Sequence, residues 1–261
     1  MNAIVKLRTP SFGDWAQAYR RFRPTYPAAV FSYLRELVGL QRDLCVELGA
    51  GSGQATGDLL DLFGKVIAVE PDPAMARLIP PDPRLRIDVR RGEEMCLPPA
   101  CADAVVAAAA LHWMDDAVVL AAAHRWLRPG GVFFAFGFGP PQYPAARTAL
   151  ATLLGQLRRD QRVHEHARLT GIRPYRETLA DSGAFLKIGA RETYASFVWT
   201  PEELAGYLAS TSGGQARARA SGDAARHGDL LADAITTAAR GPIHVRFPVE
   251  VAYGVTGPAN S

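Results

Sequence analysis

The side chains best suited to chemistry stand at the ends of short apolar runs. Glu47 lies near the end of Leu44-Cys45-Val46-Glu47-Leu48, directly before Gly49-Ala50-Gly51-Ser52-Gly53. Glu70 closes Lys65-Val66-Ile67-Ala68-Val69-Glu70, 21 positions after Gly49. His112 and Trp113 follow the run 103–111. Glycines at alternate positions let the backbone turn tightly and let a ligand approach the main chain. A carboxylate beside such a loop repels a pyrophosphate but suits an ammonium group. An acid at the spacing of Glu70 is placed to accept hydrogen bonds from both hydroxyls of a ribose. Gln54 stands near the point where a dinucleotide fingerprint would carry its third glycine, and no Gly-Lys-Ser/Thr ending of a phosphate loop is present. An imidazole exchanges a proton near neutral pH, so His112 could serve as a base or as a donor to an oxygen anion. Trp113 could wall an apolar pocket and bind a carboxylate through its indole N–H.

These residues need a frame, and the pattern supplies one. Apolar runs at 44–48, 65–70, 85–90, 103–111 and 132–139 predict strands. Helical spacing predicts helices over 28–38, 54–63, 73–78 and 116–127, the last stopped by Arg128-Pro129-Gly130-Gly131. Strands alternating with helices predict a parallel, doubly wound sheet, whose ligands sit at the carboxyl ends of the strands. Beyond Pro140-Pro141 the pattern changes. Residues 144–182 read as mostly helical, 194–199 as a strand, 201–208 as a helix and 210–223 as a Gly/Ser-rich loop. A helix follows over 230–239, then a strand over 244–255 interrupted at Pro248. With no repeat and no long linker, the expectation is a single domain over 1–261, with an N-terminal segment (1–42), a core (43–139) and a substrate-facing part (140–261).

Composition narrows the partners. The chain has 261 residues, 48% hydrophobic and 21% charged, enough for a sizeable core. Residues 1–42 carry seven Lys/Arg against two Asp/Glu, whereas 43–141 carry eight against thirteen. An acidic glycine-loop segment speaks against nucleic acid and is compatible with a cationic cofactor. No apolar run approaches the ~18 residues of a membrane span. The N-terminal run lacks the apolar stretch of a signal peptide. Three cysteines, an odd and sparse set, fit a reducing compartment, and a cytoplasmic protein is expected. His164-Glu165-His166 places residues two apart, a poor chelating geometry on a helix, and no metal site is expected.

Taken together in order, Val46-Glu47-Leu48-Gly49-Ala50-Gly51-Ser52-Gly53, Val66–Met75, Arg91–Pro98, Asp103–Asp116 and Leu127–Gly131 resemble the motifs of class I S-adenosylmethionine-dependent methyltransferases. The run Tyr19–Pro27 resembles the N-terminal signature of a small-molecule subgroup similar to trans-aconitate and juvenile-hormone-acid methyltransferases. The resemblance implies a Rossmann-like α/β fold: a seven-stranded, mostly parallel sheet, its last strand antiparallel, with a helical insertion or lid. It implies that Glu47, Gly49, Gly51 and Gly53 face the methionine end and ribose of the cofactor. It further implies that Glu70 holds the ribose hydroxyls, with Pro71 beside the adenine. Glu93 stands where the family often has Asp, contacting the adenine amino group. Glu94 replaces a small residue and would serve through its backbone N–H. Leu111 and His112 would lie by the sulfonium, and Tyr19 and Arg23 would fold over the site.

The expected reaction is methyl transfer to a small organic molecule, a carboxylic acid being one candidate, leaving S-adenosylhomocysteine. A carboxylate acceptor is already charged and needs no strong base; a phenol, amine or carbon acceptor would make His112 a candidate base. Arg20, Arg21 and Arg23 could balance an acidic substrate. The rival readings are a methyltransferase for RNA or protein, an NAD-dependent oxidoreductase, and a cofactor-binding module without catalysis.

Overall fold

The computed structural model describes residues 16–40, 42–164, 173–222 and 224–257. The N-terminal run read for a targeting signal, and Glu165 and His166 of the chelation motif, lie outside the described residues. Seven strands form one sheet: β1 (Leu44–Leu48), β2 (Lys65–Val69), β3 (Leu85–Asp88), β4 (Ala102–Ala108), β5 (Leu127–Phe138), β6 (Lys187–Trp199) and β7 (Ile243–Val255). Their order is β3-β2-β1-β4-β5-β7-β6. The first five pair in parallel, and β7 runs antiparallel between β5 and β6. The seven-stranded, mostly parallel sheet expected from the sequence is the one observed.

Alternation along the strands builds two cores, because successive side chains leave a strand on opposite faces. In β5, Val132, Phe134 and Phe136 join one cluster, with Val30, Phe31 and Leu34 of α2 (Ala28–Val38) and Leu59 of α3 (Thr56–Leu62). Phe133 and Ala135 join the other, with Val119, Leu120 and Trp126 of α5 (Asp116–Trp126) and Leu179 of α7 (Tyr175–Asp181). Covering both faces suits a parallel sheet, whose strands are buried on each side. Helices α6 (Thr148–His164), α8 (Pro201–Ser210) and α10 (Ala224–Ala239) add to the first face. The edge away from the glycine loop is tied by Asp103. One carboxylate oxygen accepts the Asp43 and Leu44 N–H groups at 2.7 and 2.8 Å, and the other meets Arg128 at 2.8 Å.

Several expectations are corrected. The fourth strand stops at Ala108 rather than running to 111. Ala109 adopts φ +51° while its N–H reaches Phe136 O, and Leu111–Trp113 form a 3₁₀ turn. Arg128–Gly131 do not merely end a helix; they lie within β5, whose register shifts between Ala102 and Ala104. The run expected as a loop over 210–223 is mostly helix in its described residues. α9 (Ser212–Ala220) fills most of them, because the Thr211 hydroxyl accepts the Gly214 N–H at 3.1 Å and starts the turn. Gly214 serves close packing there, since a Cβ on it would stand 2.0 Å from Leu208 O. Strand β6 begins seven residues earlier than expected, at Lys187. Its first part is an exposed edge without apolar alternation. Pro248 does not interrupt β7. Its carbonyl accepts from Gly139 N, so its missing donor faces the end of β5 and costs the β6–β7 ladder nothing.

Candidate active site

The chain runs outward from β1 to β2 and β3, then returns to β4 and β5 on the other side of β1. The order therefore reverses between β1 and β4, where ligands bind in such sheets. Glu47, the glycine loop, Glu70 and the turn carrying His112 all stand at this point.

The loop is tightly wound. Gly49, Gly51 and Gly53 have φ of +69°, +60° and +89°, conformations a side chain rarely adopts. At Gly49 a Cβ would also stand 2.5 Å from the Ala110 Cβ, so the loops after β1 and β4 touch there. The Gly49 and Ala50 N–H groups both donate to Val69 O. Glu70 holds the loop from its other side. One of its oxygens accepts the Gly51 N–H at 2.8 Å and the other the Asp72 N–H at 2.9 Å. Burial pushes the Glu70 carboxyl upward, and these two N–H groups partly counter that. A carboxylate has about four acceptor positions, so each oxygen keeps one for a ligand hydroxyl. Pro71 follows at the surface, and Asp72 caps α4 (Pro73–Ala76) by accepting from Ala74 N.

Glu47 is 1% exposed. One oxygen accepts from the Thr56 hydroxyl at 2.6 Å; the other, Oε1, has no partner among the described residues. Burial raises its pKa from 4.5 to about 8, with the Thr56 bond opposing and the nearby Glu70 adding to the rise. A buried polar atom without a partner is costly and calls for explanation. A cationic ligand group at Oε1 would supply one.

His112 and Trp113 occupy the 3₁₀ turn, their rings 5.2 Å apart and tilted by 45°. His112 Nδ1 lies 3.3 Å from the Tyr175 hydroxyl, and burial lowers its pKa from 6.5 to about 4. Leu111 does not line an open surface, being 2% exposed and packed with Leu48 and Met95 in the second core.

Above the loop lies α1 (Ala16–Phe22). The N-terminal contact to the glycine loop comes from Arg20, whose guanidinium meets Ser52 O at 3.5 Å. Arg23 turns instead toward α8, donating to Ser210 O at 3.3 Å. Its guanidinium lies 4.5 Å from the Tyr19 ring centroid and 5.8 Å from that of Tyr207. Its Nε is buried and has no partner among the described residues. Tyr26 stacks on Phe138 at 4.6 Å and lies within electrostatic reach of Tyr19, Tyr175, Arg23 and Glu47.

The turn over Gly92–Glu94 departs from expectation. The Glu93 carboxylate pairs with Arg91 at 3.1 Å and accepts the Asp115 N–H at 2.9 Å. Burial raises its pKa, but these bonds outweigh it and the net shift is downward. The Glu94 N–H, expected to serve a ligand, donates to Arg91 O within the turn, and its side chain returns to Arg91 N. Sequence reasoning missed Thr56 and Tyr175. Thr56 lies nine residues beyond Glu47, at the start of α3, and Tyr175 belongs to a segment with no motif. Among the described residues, no group of three or more His, Cys, Asp or Glu is arranged to hold a metal ion. No described helix is long and apolar enough to cross a membrane.

This constellation, on a sheet of this order, defines a class I methyltransferase scaffold. Residues 46–135 match the methyltransferase domain family. A solved structure from Anaeromyxobacter dehalogenans, assigned as a type II methyltransferase, is 31% identical with a TM-score of 0.69. The match covers 91% of this chain and 99% of that one. The chain belongs to the S-adenosylmethionine-dependent methyltransferases. A Dictyostelium discoideum protein assigned as a methyltransferase is 30% identical over 128 residues, 49% of each chain. The match thus spans about half the length of such curated relatives. A phosphoethanolamine N-methyltransferase from Haemonchus contortus shares the fold, with a TM-score of 0.57 at 15% identity over 96% of this chain and 58% of that one.

Proposed function

We propose that the protein binds S-adenosylmethionine at the β1–β4 switch point and methylates a small organic acid, releasing S-adenosylhomocysteine. The observation that carries this reading is Glu47 Oε1, buried and unpartnered among the described residues, beside a glycine loop that Glu70 pins through the Gly51 N–H. In this reading Glu47 meets the amino group of the cofactor's methionine end, aligned by Thr56. Gly49, Gly51 and Gly53 let the backbone come close. Glu70 takes the ribose hydroxyls on its remaining lone pairs, with Pro71 beside the adenine. Glu93 acts indirectly, bracing the adenine-side turn against Asp115. When bound, the cofactor supplies a methyl group on a sulfonium.

The substrate side is read from Arg23, whose buried Nε lacks an acceptor, and from the tyrosines around it. An anionic acceptor satisfies that donor, and Trp113 walls its apolar part. The chain's own contribution is to hold acceptor and cofactor in line and exclude water. Binding of S-adenosylmethionine by calorimetry tests the first half. Methyl-labelled cofactor incubated with a fractionated extract tests the second. Label in the small-molecule fraction, released by mild base as methanol, is expected for a carboxyl ester. Label in RNA or protein overturns the small-molecule reading, and no binding overturns both halves.

A further inference from the structure

The Tyr175–His112 contact fixes more than a position. Tyr175 opens α7, 63 residues beyond His112, and is buried. Its hydroxyl lies over the end of β5, where a Cβ on Gly137 would stand 3.1 Å from it. Among the described residues, the hydroxyl and His112 Nδ1 are each other's only side-chain hydrogen-bond partner. Burial lowers the His112 pKa to about 4 and raises that of Tyr175 above its ordinary value, so both groups are neutral at neutral pH.

A neutral imidazole has one donor and one acceptor nitrogen, and a phenol has one proton to give. If Nδ1 carried the proton and donated to Tyr175, the phenolic proton would have no hydrogen-bonded acceptor among the described residues, the nearby Glu250 carboxylate acting on the hydroxyl only through its charge while it accepts the Tyr175 backbone N–H. If Tyr175 donates to Nδ1, both groups are satisfied and the imidazole proton sits on Nε2. Buried polar groups take the satisfied arrangement.

We propose that Tyr175 is a positioning residue that locks His112 in its Nε2–H tautomer, so that His112 offers the acceptor a hydrogen-bond donor rather than a base. Resting on the methyl-transfer reading, this narrows the acceptor to a carboxylate, ionised before it arrives. Its oxygen forms the new bond to the methyl carbon as the carbon–sulfur bond breaks, with the electron pair leaving on sulfur. No proton changes hands, and His112 Nε2–H steadies the carboxylate's second oxygen.

The tautomer can be read without turnover. In ¹⁵N-labelled full-length protein, two-bond proton–nitrogen correlations report which imidazole nitrogen is protonated, and loss of a signal set in His112→Gln assigns it. The expected result is a protonated Nε2 and a bare Nδ1, replaced in Tyr175→Phe by exchange between tautomers. A protonated Nδ1 in the unaltered protein, or an unchanged His112 pattern in Tyr175→Phe, overturns the proposal. In assays with the organic-acid fraction of an extract, Tyr175→Phe is expected to lower kcat about tenfold with the KM for S-adenosylmethionine unchanged. The expected tautomer with no methylation of any acid would uphold the positioning role and sink the acid-acceptor reading.

Discussion

The half of the sheet built by β1 to β5 and the half completed by β6, β7 and helices α6 to α10 make their sites in different ways. On the first side, functional contacts are short in sequence. Thr56 reaches Glu47 across nine residues, and Glu70 reaches Gly51 across 19. On the second side they are long. Tyr175 reaches His112 across 63 residues, and Arg23 reaches Ser210 across 187. In the proposed reading the cofactor is held by a local device that the run from β1 through α3 to the end of β2 carries, and the acceptor is met by side chains that only the whole fold brings together.

That contrast can be broken or sharpened by experiment. The largest effect is expected from Glu70→Ala, which strands the Gly51 and Asp72 N–H groups and removes the acceptor proposed for the ribose. Calorimetry should show S-adenosylmethionine affinity falling at least about 100-fold, near 2.7 kcal/mol. A loss below about threefold would mean that the local device does not carry cofactor binding.

Glu47→Gln should cost about tenfold in affinity while changing stability with the opposite sign. The folded pKa of Glu47 is raised from 4.5 to about 8, so the folded state keeps a proton that the unfolded state releases in that window. Stability is therefore lost as pH rises from about 4.5 to 8, and a glutamine does not titrate. Melting curves should favour the variant increasingly between pH 5 and pH 8; a gap independent of pH would break the assignment.

Gly206→Val probes the long-range side. A Cβ at Gly206 would stand 2.4 Å from the Phe22 ring, so the substitution lifts α1 off α8. Steady-state kinetics should show the acceptor KM rising about tenfold while cofactor affinity moves less than about threefold. Equal losses in both would mean that the two sides are not separable. The smallest effect is expected from Thr56→Val. It leaves a second Glu47 oxygen unpartnered and should lower stability in denaturant titrations by about 1–2 kcal/mol.

Legibility in the sequence follows the same divide. Glu47, Glu70 and the three glycines could be singled out because spacing along one chain segment is itself geometry when the segment folds on itself. Strands β1 to β5 were legible because alternation and turn chemistry are local. Thr56 carried no signal, since a hydroxyl in a first helical turn is common. Tyr175 was invisible because nothing in its own segment points to Gly137 or His112. Arg23 was expected over the cofactor, yet it turns toward Ser210, and Arg20 touches the loop instead. Neighbouring arginines on a short helix cannot be told apart until the surface facing them is known. The helix α9 was missed because glycines read as flexibility, whereas Gly214 gives α8 and α9 room to meet.

The order of the last three strands also bears on how the chain comes off the ribosome. Among the described residues β6 pairs with β7 alone, and β7 fills the place between it and β5. Lys187–Trp199 is synthesised before Ile243–Val255, so β6 waits with both edges bare, Tyr194 and Val198 exposed even in the finished fold. The first five strands can meanwhile assemble among themselves. In that interval β6 is open to pairing with other nascent chains. The arrival of β7 covers one of those edges in a single step, pairing with β5 and β6 together and leaving β6 as the edge strand of the finished sheet. Lys187, Arg191 and Glu192, spaced along the waiting strand, act as charged gatekeepers for that interval.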